Sequence, residues 1–173
     1  MTKETKHIYL RPLETDDLDR THEWHNSAEL YENLCGVFWP VSGHTEAEWI
    51  QRVSARSANS ITLAICLTKS GEHIGNLYLR DIDWISRHGE LHLFIGDAIN
   101  RGKGQGTQAI RLLLDHAFLT LGLQRIFLQV LADNERAIRV YEKCGFVTEG
   151  VLRKHAFKQG AFKDVILMGC IHP

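Results

Sequence analysis

The sequence lacks the features that mark several large classes of protein. Its 173 residues carry a net charge of −1, so no surplus of basic side chains indicates a nucleic-acid or membrane-surface protein. No apolar run reaches the length of a membrane span, and residues 1–6 lack an apolar signal region. Linkers, repeats and low-complexity segments are absent. We therefore expect one globular domain, residues 1–173, in the cytoplasm, with neither nucleic acid nor membrane as a partner.

Cysteine is also scarce. The chain has four cysteines without C-x-x-C spacing, and two of them, Cys66 and Cys170, lie within apolar runs. Reduced, buried thiols are the expected state. The ten histidines are spread along the chain without a recognisable ligand set, so we expect no metal site.

What the chain does have is a glycine loop at residues 99–108, Ile-Asn-Arg-Gly-Lys-Gly-Gln-Gly-Thr-Gln. An apolar run at 91–95 precedes this loop, and a stretch with helical spacing at 109–121 follows it. The order predicts a strand, a loop and a helix whose first N–H groups and dipole attract an anion. Glycines let the backbone approach that anion closely, and Arg101 and Lys103 add positive charge. The loop therefore predicts a phosphate or pyrophosphate site.

Two familiar phosphate-binding loops do not fit this spacing. A dinucleotide-binding G-x-G-x-x-G that starts at Gly102 needs a third glycine where the chain has Thr107. A P-loop needs Lys followed by Ser or Thr directly after Gly106, and Thr107-Gln108 stands there. A solvated loop at a helix boundary is the alternative that the loop alone leaves open.

Hydrophobic periodicity predicts an α/β (α+β) fold with a mixed sheet of six to seven strands and helices on both faces. Predicted strands lie at 7–13, 61–67, 73–83, 90–95, 125–131, 146–156 and 164–171. Predicted helices follow Thr15, begin at Thr45, and cover 109–121 and 135–143. The helix at 109–121 makes the strands at 90–95 and 125–131 parallel neighbours, whereas the remaining pairs are antiparallel.

This order, with Arg101-x-x-Gly104-x-Gly106 at the crossover, resembles the GNAT superfamily of acyl-CoA-dependent N-acetyltransferases. The segment 134–146 is similar to that superfamily's second signature, N-x-x-A-x-x-x-Y-x-x-x-G-F. Segments 9–13 and 149–153 are similar to the branch that holds ribosomal-protein N-terminal and spermidine acetyltransferases. The resemblance implies a GNAT fold with a splayed parallel strand pair. It also implies direct acetyl transfer from acetyl-CoA to a primary amine of a protein N-terminus, an amino sugar or a small molecule.

The resemblance further implies how acetyl-CoA, the co-substrate, is bound. The edge formed by Leu93, Phe94 and Ile95 would pair with the pantetheine arm, because splayed parallel strands leave N–H and C=O groups without partners. Asn134 would bond the cofactor arm, cap its helix, or do both. The pyrophosphate would lie on the loop residues Arg101, Gly102, Lys103, Gly104, Gln105, Gly106 and Thr107. Related proteins are often dimers, so the resemblance also implies a homodimer.

Acetyl transfer needs a base for the amine, an N–H donor near Phe94 or Ile95 for the carbonyl oxygen, and a proton for the departing thiolate. Tyr141 matches the signature tyrosine and is the candidate acid; a buried aromatic whose hydroxyl bonds the backbone is the alternative. Glu90 is the candidate base, directly or through water. The alternative for Glu90 is a rim carboxylate paired with Arg87 or His88.

The acceptor site is expected between the first two helices, the loop that joins them and the final hairpin. Spermidine acetyltransferases of the branch carry acidic residues where this chain has Phe38 and Trp39, so a polyamine acceptor is an alternative rather than the main prediction. Phe38 and Trp39 line the acceptor site or belong to the core. Asp81, Asp83 and Glu90 remain as amine anchors. A non-catalytic acyl-CoA sensor is the alternative from another class, and the presence of Tyr141 argues against it.

Overall fold

A computed structural model describes residues 7–55 and 57–172, which form one seven-stranded sheet and five α-helices. The strands are β1 (Ile8–Pro12), β2 (Ile61–Leu67), β3 (His73–Asp83), β4 (His88–Ile95), β5 (Arg125–Leu131), β6 (Val147–Lys158) and β7 (Ala161–Ile171). The helices are α1 (Leu18–His25), α2 (Ala28–Glu32), α3 (Gly43–Ser54), α4 (Gln105–Asp115) and α5 (Glu135–Lys143). No helix of these described residues is both long and apolar enough to cross a membrane.

The sheet order is β1-β2-β3-β4-β5-β7-β6, and the pair β4–β5 alone is parallel. The predicted fold class and the predicted crossover are therefore confirmed. Alternate residues of a strand point to opposite faces, so Leu77 and Leu79 pack with Ile110 and Leu113 of α4, while Tyr78 faces the side of α1 and α3. The main core thus lies between the sheet and α4.

The parallel pair β4–β5 separates soon after it starts. Its register joins His88 to Arg125 and ends at Glu90 opposite Phe127. Beyond that point, residues 91–95 pair with β3 only and residues 128–131 pair with β7 only. A gap therefore opens between the carboxyl-terminal halves of two adjacent strands, as the resemblance implied.

Helix α3 begins at Gly43, two residues before the predicted Thr45, and two other helical segments differ more from the predictions. The helical spacing after Thr15 is divided into α1 and α2, because the Asn26 side chain donates to the carbonyls of His22 and Val41, and Ser27 caps α2. Helix α4 begins at Gln105 rather than at 109, since its first turn is formed by the glycine loop itself. It then widens into a single π-helical turn, His116–Thr120, before the chain turns at a left-handed glycine.

A buried ion pair fixes the chain where it leaves β1 and enters α1. Arg11 donates from Nη1 and Nη2 to the two oxygens of Asp17, at 2.6 and 2.7 Å, and the Glu14 N–H donates to the same carboxylate. Burial by itself would raise the pKa of Asp17. The Arg11 and Glu14 hydrogen bonds outweigh burial and bring that pKa below its usual value.

We expect Asp17→Asn to lower the free energy of unfolding at pH 7 by about 3 kcal/mol, because it leaves a partly buried guanidinium without its counter-charge. The folded-state pKa is depressed, so the carboxylate stabilises above its unfolded pKa of about 3.9, and this contribution disappears as pH falls. Urea denaturation at pH 7 and pH 3 measures both effects. Asp16→Asn, at an exposed neighbour, is the control. An equal difference at the two pH values would contradict the assignment.

Candidate functional site

The gap between β4 and β5 is bordered by strand edges without backbone partners. The Gly96 N–H donates to the Ile74 carbonyl of β3. Because N–H directions alternate along a strand, the Phe94 N–H also faces β3, whereas those of Leu93 and Ile95 face the gap. Of the two amides considered from the sequence, Ile95 is therefore the one placed to donate into the gap.

The glycine loop lies beside this gap and presents its backbone. Gly102 and Gly104 have φ values of +84° and +85°, which other residues adopt only with strain. The N–H groups of residues 102–107 have no acceptor among the described residues. A Cβ added at Gly104 would meet nothing within 4 Å, and one at Gly106 only the side chain of Leu93, at 3.9 Å. The loop is thus a row of free donors at the start of α4, which suits an anion.

The side chains of the glycine loop make contacts that the sequence did not predict. Arg101 donates from Nε to the Ile95 carbonyl, at 3.1 Å, and from Nη2 to the Gly96 carbonyl, at 2.6 Å. Its third contact is with Glu29, at 3.0 Å. Lys103 is exposed, so the backbone carries most of the anion-binding capacity. Gln105 is buried and its Oε1 has no partner within the described chain.

Glu90 stands at the apex of the gap, at the last paired position of β4. Its Oε2 lies 3.3 Å from Nε2 of His92, and Gln129 of β5 donates to Oε1 at 3.4 Å. The contact with His92 lowers the pKa of Glu90 more than burial raises it, so the group is a carboxylate at neutral pH. Neither Arg87 nor His88, the rim partners considered from the sequence, makes this contact.

Tyr141 lies on α5 with its ring against Phe146. Burial raises the pKa of Tyr141, with smaller contributions from Cys35 and Cys144, so the phenol stays protonated at neutral pH. Its hydroxyl has no hydrogen-bond partner among the described residues. A Tyr141 hydroxyl bonded to the backbone, the alternative considered from the sequence, is therefore not observed among the described residues.

Asn134 and Cys144 both stabilise the elements around Tyr141. The Asn134 side chain caps α5 by accepting the Ala137 N–H, and its Nδ2 donates to the carbonyl of Asn33. Burial raises the pKa of Cys144, and its thiol lies 3.8 Å from the Thr107 carbonyl. Asn134 is thus a helix cap and a tie to the loop after α2. Cys144 is a partly buried thiol with a raised pKa rather than an activated nucleophile.

A second cavity opens on the α1–α3 side of the sheet and reaches β3 beside Glu90. This cleft of about 290 Å³, named the acceptor cleft because the sequence predicts the acceptor on this side, is lined by His25, Tyr31, Val41, Thr45, Glu46, Glu48, Trp49, Arg52 and Arg80. Within it, His25 Nδ1 lies 2.9 Å from both oxygens of Glu46, whose side chain is 2% exposed. Arg80 is the β3 register partner of Glu90. The cleft and the gap therefore meet at these paired strand residues.

The residues predicted to contact the acceptor do not all lie at the cleft. Phe38 packs against Tyr31 of the cleft, whereas Trp39 is 74% exposed and not a core residue. Asp83 accepts from the N–H groups of Ile85 and Ser86, so it closes the β3–β4 turn. Asp81 is exposed in the β3 bulge and does not line the cleft.

Sequence reasoning did not single out His25, Glu46, Arg80 or His92 as site residues. The available signal was only that His92 shares a strand face with Glu90. His25 and Glu46 meet because α1 and α3 pack together, which their spacing in the sequence does not reveal. Among the described residues, no group of three or more His, Cys, Asp or Glu side chains is placed to hold a metal ion.

Comparison with known proteins agrees with this geometry. The profile of an "Acetyltransferase (GNAT) domain" matches residues 7–147. Spermidine N(1)-acetyltransferase of Escherichia coli K12 is 30% identical over 95% of the chain and 85% of that protein. An L-amino acid N-acetyltransferase of the same strain is 29% identical over 93% of the chain and 96% of that protein. A Vibrio cholerae spermidine N-acetyltransferase in complex with CoA and spermine superposes with a TM-score of 0.88 at 28% identity, covering 95% of each chain.

The features of the gap, considered apart from the comparisons, also fit acetyl-CoA. Free N–H groups on a glycine-built loop suit a pyrophosphate, and unpaired strand edges suit an extended amide chain. The loop would hold the phosphates by its backbone, and the β4 edge would hold the pantetheine arm.

Gly106→Val tests the loop with little change to the protein itself, because Gly106 has an ordinary helical φ and its Cβ would make only an ordinary contact with Leu93, at 3.9 Å. We expect acetyl-CoA affinity to fall at least about tenfold, since a branched side chain keeps the anion away from the N–H groups. Isothermal titration measures the affinity, and thermal unfolding confirms the fold. Gly150→Val, whose Cβ meets nothing within 4 Å, is the control. Unchanged affinity in Gly106→Val would contradict the site.

Proposed function

This chain belongs to the GNAT acetyltransferase family and transfers the acetyl group of acetyl-CoA to an amine, and from that premise we propose which residues carry the transfer. The observation that supports the proposal most is a hydrogen-bonded carboxylate, Glu90, at the apex of a gap between two parallel strands. The co-substrate brings a thioester carbonyl and a thiol leaving group to this gap. The amine comes from the cleft on the α1–α3 side.

The first proposed role concerns the amine proton. An alkylammonium has a pKa of about 10 and must lose a proton before it can attack. Glu90 receives this proton directly or through water, and His92, in contact with the same carboxylate, shares the charge. The low pKa of Glu90 makes it an anion that binds an ammonium well.

Two further roles concern the carbonyl and the leaving group. The Ile95 N–H, directed into the gap, donates to the carbonyl oxygen as negative charge develops on it. Tyr141 gives its proton to the departing thiolate. Its raised pKa keeps the phenol protonated, and its hydroxyl is not occupied by another residue of the described chain. Both donors are fixed in place before the reaction, which lowers the cost of reorganisation.

The acceptor is a primary amine, and two acceptor classes have support of different kinds. Similarity to spermidine acetyltransferases over nearly the whole chain supports a polyamine. The loop at 36–40 has no carboxylate, and the two arginines of the cleft offset its two glutamates, which supports a less cationic amine. We favour the second class on electrostatic grounds. Cytoplasmic localisation and a homodimer stay predictions of the sequence.

We expect Tyr141→Phe to lower kcat by about 10²-fold or more, because the thiolate loses its proton donor while the ring and its packing remain. The Kd for acetyl-CoA should change less than about twofold. Free-thiol release gives kcat and isothermal titration gives Kd. Unchanged turnover would refute the acid role. A wild-type protein that binds acetyl-CoA but acetylates no amine of a broad panel would instead favour a sensor.

We expect Glu90→Gln to lower kcat by about 10²-fold, because the amide cannot take a proton from the amine. The change is isosteric, so binding of acetyl-CoA should be preserved. Steady-state kinetics from pH 6 to 9 with one amine measures the effect. Glu142→Gln, at an exposed position of α5, is the matched control. The proposal fails if Glu90→Gln and the control show the same kcat.

A further inference from the structure

The acceptor cleft is lined by four charged side chains, two carboxylates and two guanidinium groups, and Glu90 lies beside it. The carboxylates and the guanidinium groups differ in their partners. Its two carboxylates each have an imidazole partner. Glu46 is bound by His25, at 2.9 Å, and Glu48 lies 3.4 Å from His44. The two guanidinium groups, of Arg52 and Arg80, have no carboxylate within ion-pair distance among the described residues. Neither guanidinium group therefore has an ion pair to break within the described chain before it binds an anion.

Arg80 is held in a defined position although it is exposed. Its guanidinium lies 4.6 Å from the centroid of the Tyr78 ring, a cation–π contact that restricts the side chain. Tyr78 is itself only 5% exposed. Arg80 also stands directly opposite Glu90 across the β3–β4 ladder, on the same face of the sheet. A fixed cation and the proposed amine-binding carboxylate are thus neighbours.

We infer that Arg80, together with Arg52 of α3, binds an anionic group of the acceptor. The acceptor is then an amine that also bears a carboxylate or a phosphate, with its nitrogen at Glu90 and its anion at Arg80. The planar guanidinium fork matches both anions bidentately. A polyamine would instead meet two unpaired positive charges. This inference rests on the proposed function, because it assigns the acceptor of the same site.

The experiment compares amines that differ only in the anion. Phenethylamine is L-phenylalanine without its carboxylate, and glucosamine is glucosamine 6-phosphate without its phosphate; spermidine completes the panel. We expect one anionic member to exceed its neutral partner in kcat/KM by about tenfold to a hundredfold, the usual range for a charge-assisted hydrogen bond. The preferred pair distinguishes carboxylate from phosphate. Titration of the CoA-bound protein with the same compounds compares affinities independently of turnover.

The variants identify the residue responsible. Arg80→Gln should remove the preference for the anionic member, so that kcat/KM becomes similar for the two members of the pair. Arg80→Lys, which keeps the charge but not the fork, should retain part of the preference. Arg139→Gln, on the exposed face of α5, removes the same charge outside the cleft and is the control.

The two possible failures are distinguishable. Equal use or equal binding of both members of each pair, no measurable binding of either anionic compound, or a preference for spermidine would overturn the inference. A preference that survives in Arg80→Gln combined with Arg52→Gln would overturn it as well. If the proposed function itself is wrong, the protein neither binds acetyl-CoA nor releases thiol with any amine.

Discussion

Backbone polar groups that lose their strand partner are the constraint on which this structure depends. After the Glu90–Phe127 pair, β4 and β5 each keep one neighbour, and the edges between them are left open. Such an arrangement persists only if β4 cannot move back toward β5. Arg101 bonds the last carbonyls of β4, and a side chain at Gly75 would collide with the Phe94 carbonyl, so β3 and β4 approach closely. The end of β4 is therefore held by Arg101 and by its close approach to β3, and the gap beside it stays open.

In the proposed function, the two substrates are recognised by different physical means. The side that faces the glycine loop relies on backbone N–H groups and the start of α4, whose partial charges do not depend on pH. The side that faces α1 and α3 relies on ionisable side chains, which either pair with each other or remain free for a ligand. Glu90 lies between the two sides. Its carboxylate is stabilised by His92 on β4 and Gln129 on β5, the strands that separate immediately beyond it.

Elements with a clear hydrophobic period were predicted well. Residues 61–67, 73–83, 125–131 and 135–143 form the predicted strands and helix with the predicted bounds. The errors fall where local polar contacts compete with periodicity. Asn26 ends α1 through bonds to backbone carbonyls, and the glycine loop forms a helical turn that glycine propensity disfavours. The hydrophobic period of the sequence contains no information about such contacts.

The candidate site also contains residues that the sequence could indicate and contacts that it could not. The glycine loop, Tyr141 and Glu90 could be named from the chain alone, because each belongs to a local pattern whose residues are close in sequence. The partners of the charged side chains could not. Arg101 bonds a strand end, Asp83 closes a turn and His25 meets Glu46. Arg80 forms no ion pair among the described residues, although Glu90 lies opposite it. The sequence by itself determined the order of elements and the donors of the loop. Only the tertiary structure decided which charges are neutralised, because strand register and helix packing bring those side chains together from distant positions.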